Sequence, residues 1–160
     1  MKGKLKLDDT DHHILNMLID NTRTPFTDIA KKLDISAGTV HVRVKKMEES
    51  GLIVGSSLTL NYKKLGYTFI AYVGIFLEKT SQTQFVLNRI EEIPNITVAH
   101  VTTGKFNLFC KIRAKNTEHA KNIIFLIDDI DGVSRTETMI SMEESLNDKT
   151  RLMKSIFENM

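Results

Sequence analysis

The sequence predicts an α+β protein, with an N-terminal helix-turn-helix and a C-terminal ferredoxin-like βαββαβ domain. Two observations lead to this prediction. Residues 8–50 have the apolar spacing of three short helices, and residues 67–144 alternate strand-like and helix-like stretches. We therefore expect a helix-turn-helix domain over residues 1–53, a linking strand or linker over 54–64 and the second domain over 65–160.

Composition is that of a folded protein and excludes several classes. The 160 residues are 41% hydrophobic and 26% charged, and 22 basic against 20 acidic residues give a net charge of +2, which indicates no particular partner. The longest apolar run, Phe69–Leu77, is too short to span a membrane. A single cysteine, Cys110, excludes an internal disulfide and suits the reducing cytoplasm. No cysteine pair or HExxH-type spacing indicates a metal, and we expect neither cofactor nor signal peptide.

The first predicted helix begins after Asp8, whose carboxylate can cap the free backbone N–H groups of the first turn. Acidic Asp9 and Asp11 suit the positive end of that helix. An apolar stripe then predicts its buried side: Ile14, Leu15, Leu18 and Ile19.

The second and third predicted helices are joined by a tight turn. Thr24-Pro25 reads as an N-cap followed by proline at the first helical position. Asp34 can adopt the left-handed conformation that the turn needs, and Ser36 can cap the third helix. Gly51 is expected to end it. Residues 52–60 then predict either a small β wing or an extended linker.

The second half has a clear order of elements. We predict strands over 67–78, 96–103, 106–114 and 133–142, with helices over 81–93 and 117–130. A terminal helix is expected over 147–158. The inward residues of the first of these helices are predicted to be Phe85, Val86, Ile90 and Ile93; those of the second are Ala120, Ile123, Ile124 and Ile127.

The first strand of the predicted sheet is apolar on both faces. Alternate residues from Phe69 to Leu77 point to one face, and Ile70, Tyr72 and Phe76 point to the other. Two helices cover only one face of a four-stranded sheet. The second face therefore predicts self-association, and the alternative is that the C-terminal tail covers it.

The outer side of the third helix is the candidate functional surface. Val40, Val44 and Met47 fall on one side at 100° per residue and should pack inward. The outer side then carries three positive charges and no acid, with small residues at its start, which is typical of a helix that enters the DNA major groove. The candidate DNA-binding residues are Ser36, Ala37, Gly38, Thr39, His41, Val42, Arg43, Lys45 and Lys46.

An ordered set of motifs resembles the leucine-responsive regulator/asparagine regulator (Lrp/AsnC) family of transcription regulators. In the first half these motifs are Leu7-Asp8-Asp9-Thr10-Asp11, Ile14-Leu15, Ile29-Ala30-Lys31-Lys32-Leu33, Ile35-Ser36, Arg43-Val44-Lys45-Lys46-Met47-Glu48 and Gly51-Leu52-Ile53. Leu65-Gly66, Thr103-Gly104 and Gly132-Val133 continue the resemblance in the second half.

The resemblance implies a winged helix-turn-helix that binds double-stranded DNA and a ferredoxin-like domain that builds homodimers and higher even oligomers such as octamers. It also implies an amino-acid effector bound between regulatory domains. The candidate effector-binding residues are Thr103, Gly104, Lys105, Phe106, Asn107, Thr136 and Thr138.

One departure concerns the effector. The family's loop commonly reads Gly-x-x-Asp, whereas this chain has Gly104-Lys105-Phe106-Asn107. An aspartate can balance a ligand ammonium group, and an asparagine offers only neutral hydrogen bonds. A different effector, weak binding and no effector all stay open.

Two other functions are compatible with these patterns. A DNA-organising protein without an effector is one, and Asn107 favours it. A tetrapyrrole decarboxylase on the same two-domain fold is the other, and the basic, acid-free third helix argues against it. We find no nucleophile–base pair in the sequence and predict a regulator that is not an enzyme.

Overall fold

The computed structural model describes residues 6–148 and 150–158, which form two compact units. The first unit takes the chain up to Thr59 together with the segment from Leu146 onward, and the second unit is Leu60–Ser145. Within the described residues, no helix is both long and apolar enough to cross a lipid bilayer.

The described part of the first unit contains four helices. These are α1 (Asp9–Asp20), α2 (Phe26–Leu33), α3 (Ala37–Glu49) and, from the far end of the chain, α6 (Arg151–Glu158). The inner sides of the first three helices form one apolar core, as their spacing predicts. That core consists of Ile14, Leu15, Ile29, Ala30, Val40, Val44 and Met47.

Polar caps set the ends of these helices. Asp8 and Asp11 form a reciprocal cap, in which each carboxylate accepts a hydrogen bond from the other residue's backbone N–H (2.9 and 3.2 Å). Thr24 does not cap α2, contrary to the expectation. Pro25 holds the cap position with extended backbone, and the Thr24 hydroxyl instead donates to the Asn21 carbonyl, so the helix begins one residue later.

The segment that follows α3 is a linker. Gly51 takes a left-handed conformation (φ 79°) just after the helix, and residues 54–61 carry no regular secondary structure. Of the two possibilities for residues 52–60, the described chain therefore shows the extended one, with Val54 94% exposed.

The second unit is a four-stranded antiparallel sheet with two helices. Its elements are β1 (Phe69–Leu77), α4 (Thr83–Glu91), β2 (Ile96–Val101), β3 (Leu108–Ala114), α5 (Thr117–Asp128) and β4 (Val133–Ile140). The order in the sheet is β2-β3-β1-β4, so β1 pairs with both β3 and β4. The predicted βαββαβ arrangement is confirmed.

The core of this unit lies between one sheet face and the helices. Alternate residues of β1 and β3, such as Val73 and Ile112, are fully buried against apolar residues of α4 and α5. Phe85 is an exception to the prediction, because it is half exposed on the outside of α4. Successive residues of a helix are rotated by 100° about its axis. Val86, the neighbour of Phe85, takes the position that faces the core.

The C-terminal segment differs from the predicted domain division. The chain from Leu146 onward packs with the first unit, not with the ferredoxin-like domain that was expected to extend over 65–160. Two contacts hold α6 on α1: the Phe157 ring lies 5.8 Å from the ring of His12, and Lys154 Nζ lies 2.6 Å from a carboxylate oxygen of Asp20. Such tertiary contacts leave no periodic signal in the sequence.

The second face of the sheet is covered in part. Ile70 and Arg113 are buried, because the Arg113 guanidinium stacks on the Tyr62 ring and pairs with Glu144, a residue that follows β4. Further along the face, Tyr72 and Phe109 stack on each other and are only half buried. The segment after β4 and the Tyr62 ring therefore cover one end of the face, and the aromatic side chains further along are only half buried in the single chain.

Candidate nucleic-acid interface

The turn between α2 and α3 fixes how the third helix is presented. Asp34 adopts the left-handed conformation (φ 54°, ψ 46°), which reverses the chain in a few residues, and the Ile35 N–H then donates to the Ala30 carbonyl (3.0 Å). Ser36 caps α3 by accepting the Thr39 N–H (3.0 Å). These are the features expected from the sequence, and together they form a helix-turn-helix.

One side of α3 is buried and the other faces solvent. Val40, Val44 and Met47 are 0%, 6% and 1% exposed, and they anchor the helix on the core. The predicted outer residues are all exposed: Gly38, Thr39, His41, Val42, Lys45 and Lys46. The division of this helix into an inner and an outer side is confirmed.

The start of α3 is small and polar. The hydroxyls of Ser36 and Thr39 lie 2.9 Å apart at the surface, and a side chain at Gly38 would meet only the Ser36 hydroxyl, at 3.6 Å. Ala37 is half buried against the core. A duplex could therefore approach the free N–H groups of the first turn closely.

A groove of about 660 Å³ lies beside the exposed side of α3. Its lining joins the outer residues of α3 to the chain around the start of α1. The lining residues are Lys6, Asp8, Asp11, Ser36, Gly38, Thr39, Val42, Arg43 and Lys46.

Arg43 is the candidate residue whose surroundings differ most from expectation. Its Nη1 lies 2.7 Å from Asp8 Oδ2 and 2.8 Å from Asp11 Oδ1, so the guanidinium is ion-paired within the domain. The sequence places this arginine on the flank of an acid-free surface, but folding brings two acids beside it from more than thirty positions away. Two hydrogen bonds hold the pKa of Asp8 below its usual value: the one from Arg43 has the larger effect, and the one from the Asp11 N–H has the smaller.

The two lysines of α3 remain at the surface. Lys45 Nζ lies 3.8 Å from Glu49, and both side chains are about two-thirds exposed, which makes this a weak pair. Lys46 is exposed at the edge of the groove. Both side chains are long and exposed, so they suit contacts with phosphates.

The candidate effector loop carries a small charged network. The Glu137 carboxylate lies 2.5 Å from Lys105 Nζ and 2.7 Å from Arg135 Nη1, and these hydrogen bonds lower the pKa of Glu137 below its usual value. Arg135 also stacks on the Phe76 ring, 3.6 Å from its centroid. Sequence reasoning did not single out Arg135 or Glu137, because their proximity to Lys105 depends on the pairing of β1 with β4.

Phe106 and Asn107 attach this loop to β1. The Phe106 ring lies against Gly74, where any side chain would overlap it. The Asn107 side-chain carbonyl accepts a hydrogen bond from the Leu77 N–H (3.0 Å). The backbone N–H of Asn107 donates to the Ile75 carbonyl (2.9 Å). The oxygen of Asn107 is therefore engaged at the bulge between Phe76 and Leu77.

The candidate effector residues do not form one cluster within this chain. Thr136 and Thr138 pair with Ile75 and Val73, which are core residues, so their side chains lie on the helix-covered face. The Thr136 hydroxyl accordingly donates to Asp128 at the end of α5 (2.8 Å). Lys105, with its partner Glu137, belongs to the opposite face. Thr103 and Gly104 are exposed in the loop itself.

No metal centre is formed by the part of the chain that the structure describes, since it contains no group of three acidic, histidine or cysteine side chains placed to hold an ion. Cys110 is fully buried in β3, and burial raises the pKa of its thiol to about 11. It is a core side chain.

The helix-turn-helix and the ferredoxin-like unit together define a DNA-binding regulator. Residues 7–54 match the winged helix-turn-helix DNA-binding family, and residues 70–150 match the Lrp/AsnC ligand binding domain. The regulatory protein AsnC of Haemophilus influenzae is 33% identical over 141 residues, which cover 88% of this chain and 94% of that protein. The chain belongs to the Lrp/AsnC family of transcriptional regulators.

Solved structures agree with this assignment. Escherichia coli AsnC aligns with a TM-score of 0.85 at 30% identity, over 90% of this chain and 97% of its own. A transcriptional regulator from Neisseria meningitidis, solved as a complex with L-methionine, aligns with a TM-score of 0.83 over 91% of this chain and 96% of its own. At 16% identity, that second likeness shows the fold alone.

Proposed function

We propose that this protein recognises a specific double-stranded operator through α3 and that an amino acid bound to the ferredoxin-like unit modulates this recognition. The observation that carries the first part is the exposed side of α3. It presents two lysines and a small polar start, while three apolar residues fix the opposite side to the core. Acting on chromosomal DNA would place the protein in the cytoplasm.

The exposed residues suggest separate roles on DNA. Lys45 and Lys46 suit phosphate contacts, which supply affinity without sequence information. Thr39 and His41 suit base edges in the major groove, and Val42, 66% exposed, suits a thymine methyl group. Ser36, Ala37 and Gly38 let the backbone come close to a phosphate.

The first experiment measures binding to DNA at several salt concentrations. Fragments selected from the genome by the purified protein are compared with scrambled duplexes of the same length. We expect tighter binding to the selected fragment, with an affinity that falls steeply as salt rises. A protein that shows neither sequence preference nor salt dependence would refute the DNA-binding proposal.

Two substitutions separate the roles within α3. Lys46→Ala should weaken binding to both duplexes. It should also reduce the slope of log K against log salt by about one unit, which is the contribution of one phosphate contact. Thr39→Ala should lower the preference for the selected duplex by about tenfold and leave the salt slope unchanged. Lys121→Ala, which removes an exposed lysine from α5, is the control and should alter neither value.

The open part of the sheet face supports self-association. Tyr72, Phe76 and Phe109 are aromatic, half buried and adjacent, and a soluble chain gains by covering such a patch. A homodimer would present two α3 helices to half-sites about one helical turn of DNA apart. Dimers could assemble further into even oligomers such as octamers.

The loop with Lys105 supports the second part of the proposal. An amino acid carries one carboxylate and one ammonium group, and Lys105, Arg135 and Glu137 offer both complementary charges. The Neisseria regulator of the same fold was solved with L-methionine, which makes that amino acid the first probe. Asn107 adds no charge, and its oxygen is already engaged, so selectivity would depend on the other residues and on a neighbouring subunit.

Thermal denaturation in the presence of each free amino acid tests the effector. A ligand that binds only the folded protein raises its stability, by about 2.7 kcal/mol at a concentration one hundred times its dissociation constant. We expect L-methionine or a related amino acid to stabilise the wild type and to have less effect on Glu137→Gln. Stabilisation by none of them, together with normal operator binding, would favour a DNA-organising protein without an effector.

A further inference from the structure

A second role for the recognition helix is suggested by Arg43, which is ion-paired inside the DNA-binding unit. All three of its short contacts come from one nitrogen, Nη1, which lies 2.9 and 2.7 Å from the two carboxylate oxygens of Asp8 and 2.8 Å from Asp11 Oδ1. The Arg43 side chain is only 30% exposed. It therefore joins α3 directly to the start of α1.

The two carboxylates are themselves held in place. Asp8 and Asp11 cap each other across the first turn of α1, at distances of 2.9 and 3.2 Å. The Asp11 side chain is 12% exposed. The acceptors for Arg43 are therefore fixed before the arginine reaches them, and the pair costs little additional ordering on their side.

The position of Arg43 along α3 matters for what this pair restrains. Arg43 lies one turn after Thr39 and almost one turn before Lys46, which are two of the proposed DNA contacts. The apolar anchors of α3 are Val40, Val44 and Met47, and such contacts have little directional preference. A charged hydrogen bond has a preferred direction, so it can fix the rotation of the helix about its axis.

The charge balance argues against a phosphate contact at Arg43. Two carboxylates surround one guanidinium, so the group carries a net negative charge before DNA arrives. A phosphate approaching Nη1 would have to displace these acids, and elsewhere on the guanidinium it would meet the net negative charge of the group. Lys46, in contrast, is exposed at the edge of the same groove and suits a phosphate.

We infer that Arg43 is a positioning residue: through Asp8 and Asp11 it sets the orientation of the recognition helix, and it does not contact DNA. This inference rests on the proposed DNA-binding function. It changes the role of one residue that the sequence places among the DNA contacts, and it gives the acidic start of α1 a part in sequence recognition.

The test uses the full chain and four variants, one of which combines the arginine substitution with both aspartate substitutions. Arg43→Gln removes the cation. Asp8→Asn/Asp11→Asn removes both negative charges and keeps an oxygen for each helix cap, since asparagine caps as well as aspartate. Lys46→Gln is the matched control, because it removes one positive charge from the same helix at a proposed phosphate contact.

Three quantities are measured for each protein: affinity for the selected duplex, affinity for a scrambled duplex, and the salt slope. For Arg43→Gln and for Asp8→Asn/Asp11→Asn, we expect the ratio of the two affinities to fall by about tenfold, with an unchanged salt slope. The variant that combines the arginine and both aspartate substitutions should lower the affinity ratio no further than Arg43→Gln or Asp8→Asn/Asp11→Asn alone, because each of these disrupts the same ion pair. Lys46→Gln should weaken both affinities alike and lose about one unit of slope.

Either of two results in these binding measurements would overturn the inference. A loss of about one unit of slope in Arg43→Gln, as in the control, would make Arg43 a phosphate contact. An unchanged affinity ratio in the aspartate variant would show that the pair does not influence recognition. Circular dichroism checks that each variant is folded.

Urea unfolding of the wild type and all four variants separates this inference from the proposed function. If the wild type binds no DNA with sequence preference, the proposed function fails, and the role in recognition fails with it. The ion pair is then still measurable as non-additive effects of the arginine and aspartate substitutions on the unfolding midpoint. If the wild type binds its operator and these effects are additive, the pairing itself is refuted, and only this inference fails.

Discussion

Asp8 shows how much a single residue does in this protein. Its carboxylate caps α1, accepts two hydrogen bonds from Arg43 and forms part of the groove beside α3. The sequence predicts the first of these roles from the position of Asp8 before an apolar stripe. The second depends on α3 crossing α1, which no local pattern encodes.

The stability of the DNA-binding unit should be sensitive to acid through Asp8. The pKa of Asp8 is lowered in the folded state by Arg43 and by the Asp11 N–H. Its stabilising effect is therefore complete above the unfolded pKa, which is about 3.9, and is lost as the pH falls through the lower folded value. The urea midpoint of the wild type should drop more steeply below about pH 4 than that of Asp8→Asn. Asp9→Asn is the control and should keep the steep drop.

Cys110 should be chemically inert in the native protein. Burial raises the pKa of its thiol to about 11, so almost no thiolate is present at neutral pH. We expect no alkylation at pH 8, followed by complete modification once urea unfolds the second unit, as measured by mass spectrometry. Rapid labelling of the native protein would show that β3 opens locally.

At the scale of the element, α6 is the clearest case of structure beyond the sequence pattern. A terminal helix over 147–158 is predicted from the sequence, and the structure forms it over Arg151–Glu158. This helix packs on α1 through two contacts: the Phe157 ring lies against His12, and Lys154 forms an ion pair with Asp20. The end of the chain thereby supports the DNA-binding unit.

Removing the aromatic contact should destabilise this unit. Phe157→Ala should lower the free energy of unfolding by about 1–2 kcal/mol, which is less than for a fully buried phenylalanine because Phe157 is half exposed. Leu152→Ala is the control on the same helix; its side chain is 70% exposed, so its loss should be small. Equal effects of the two substitutions in urea unfolding would contradict the packing of α6 on α1.

At the scale of the whole molecule, the open sheet face connects the fold to assembly. Glu144, which follows β4, and the Tyr62 ring, which precedes β1, cover the end of the face near Ile70 and Arg113. Glu144 also pairs with Lys111, whose Nζ lies 6.0 Å from the centroid of the Tyr72 ring. The proposed self-association would use the aromatic part around Tyr72, because its side chains are only half buried in the single chain.

A charge on this face should prevent assembly. Tyr72→Glu should shift the protein to a smaller species in size-exclusion chromatography with light scattering, because a carboxylate buried in an apolar interface is costly and the neighbouring Lys111 already pairs with Glu144. Phe125→Glu, at a side chain that is 55% exposed on α5, is the control and should leave the size unchanged. The proposed interface would be contradicted if the wild type were monomeric at micromolar concentration. It would also be contradicted if Phe125→Glu reduced the size of the protein and Tyr72→Glu did not.

Much of this protein follows from local rules. The sequence alone determined the helix-turn-helix, the left-handed turn at Asp34, the cap at Ser36 and the βαββαβ order, because each depends on residues close together in the chain. Periodicity also identified the exposed side of α3, since burial on a helix follows a fixed angle per residue.

Tertiary structure decided the rest. It paired Arg43 with two acids from α1, placed Thr136 and Thr138 on the face opposite Lys105, and returned α6 to the first unit. The physical reason is common to all three: an ion pair, a strand register and a docked helix depend on residues far apart in the chain. Local propensity cannot specify which of several compatible partners a side chain finally meets.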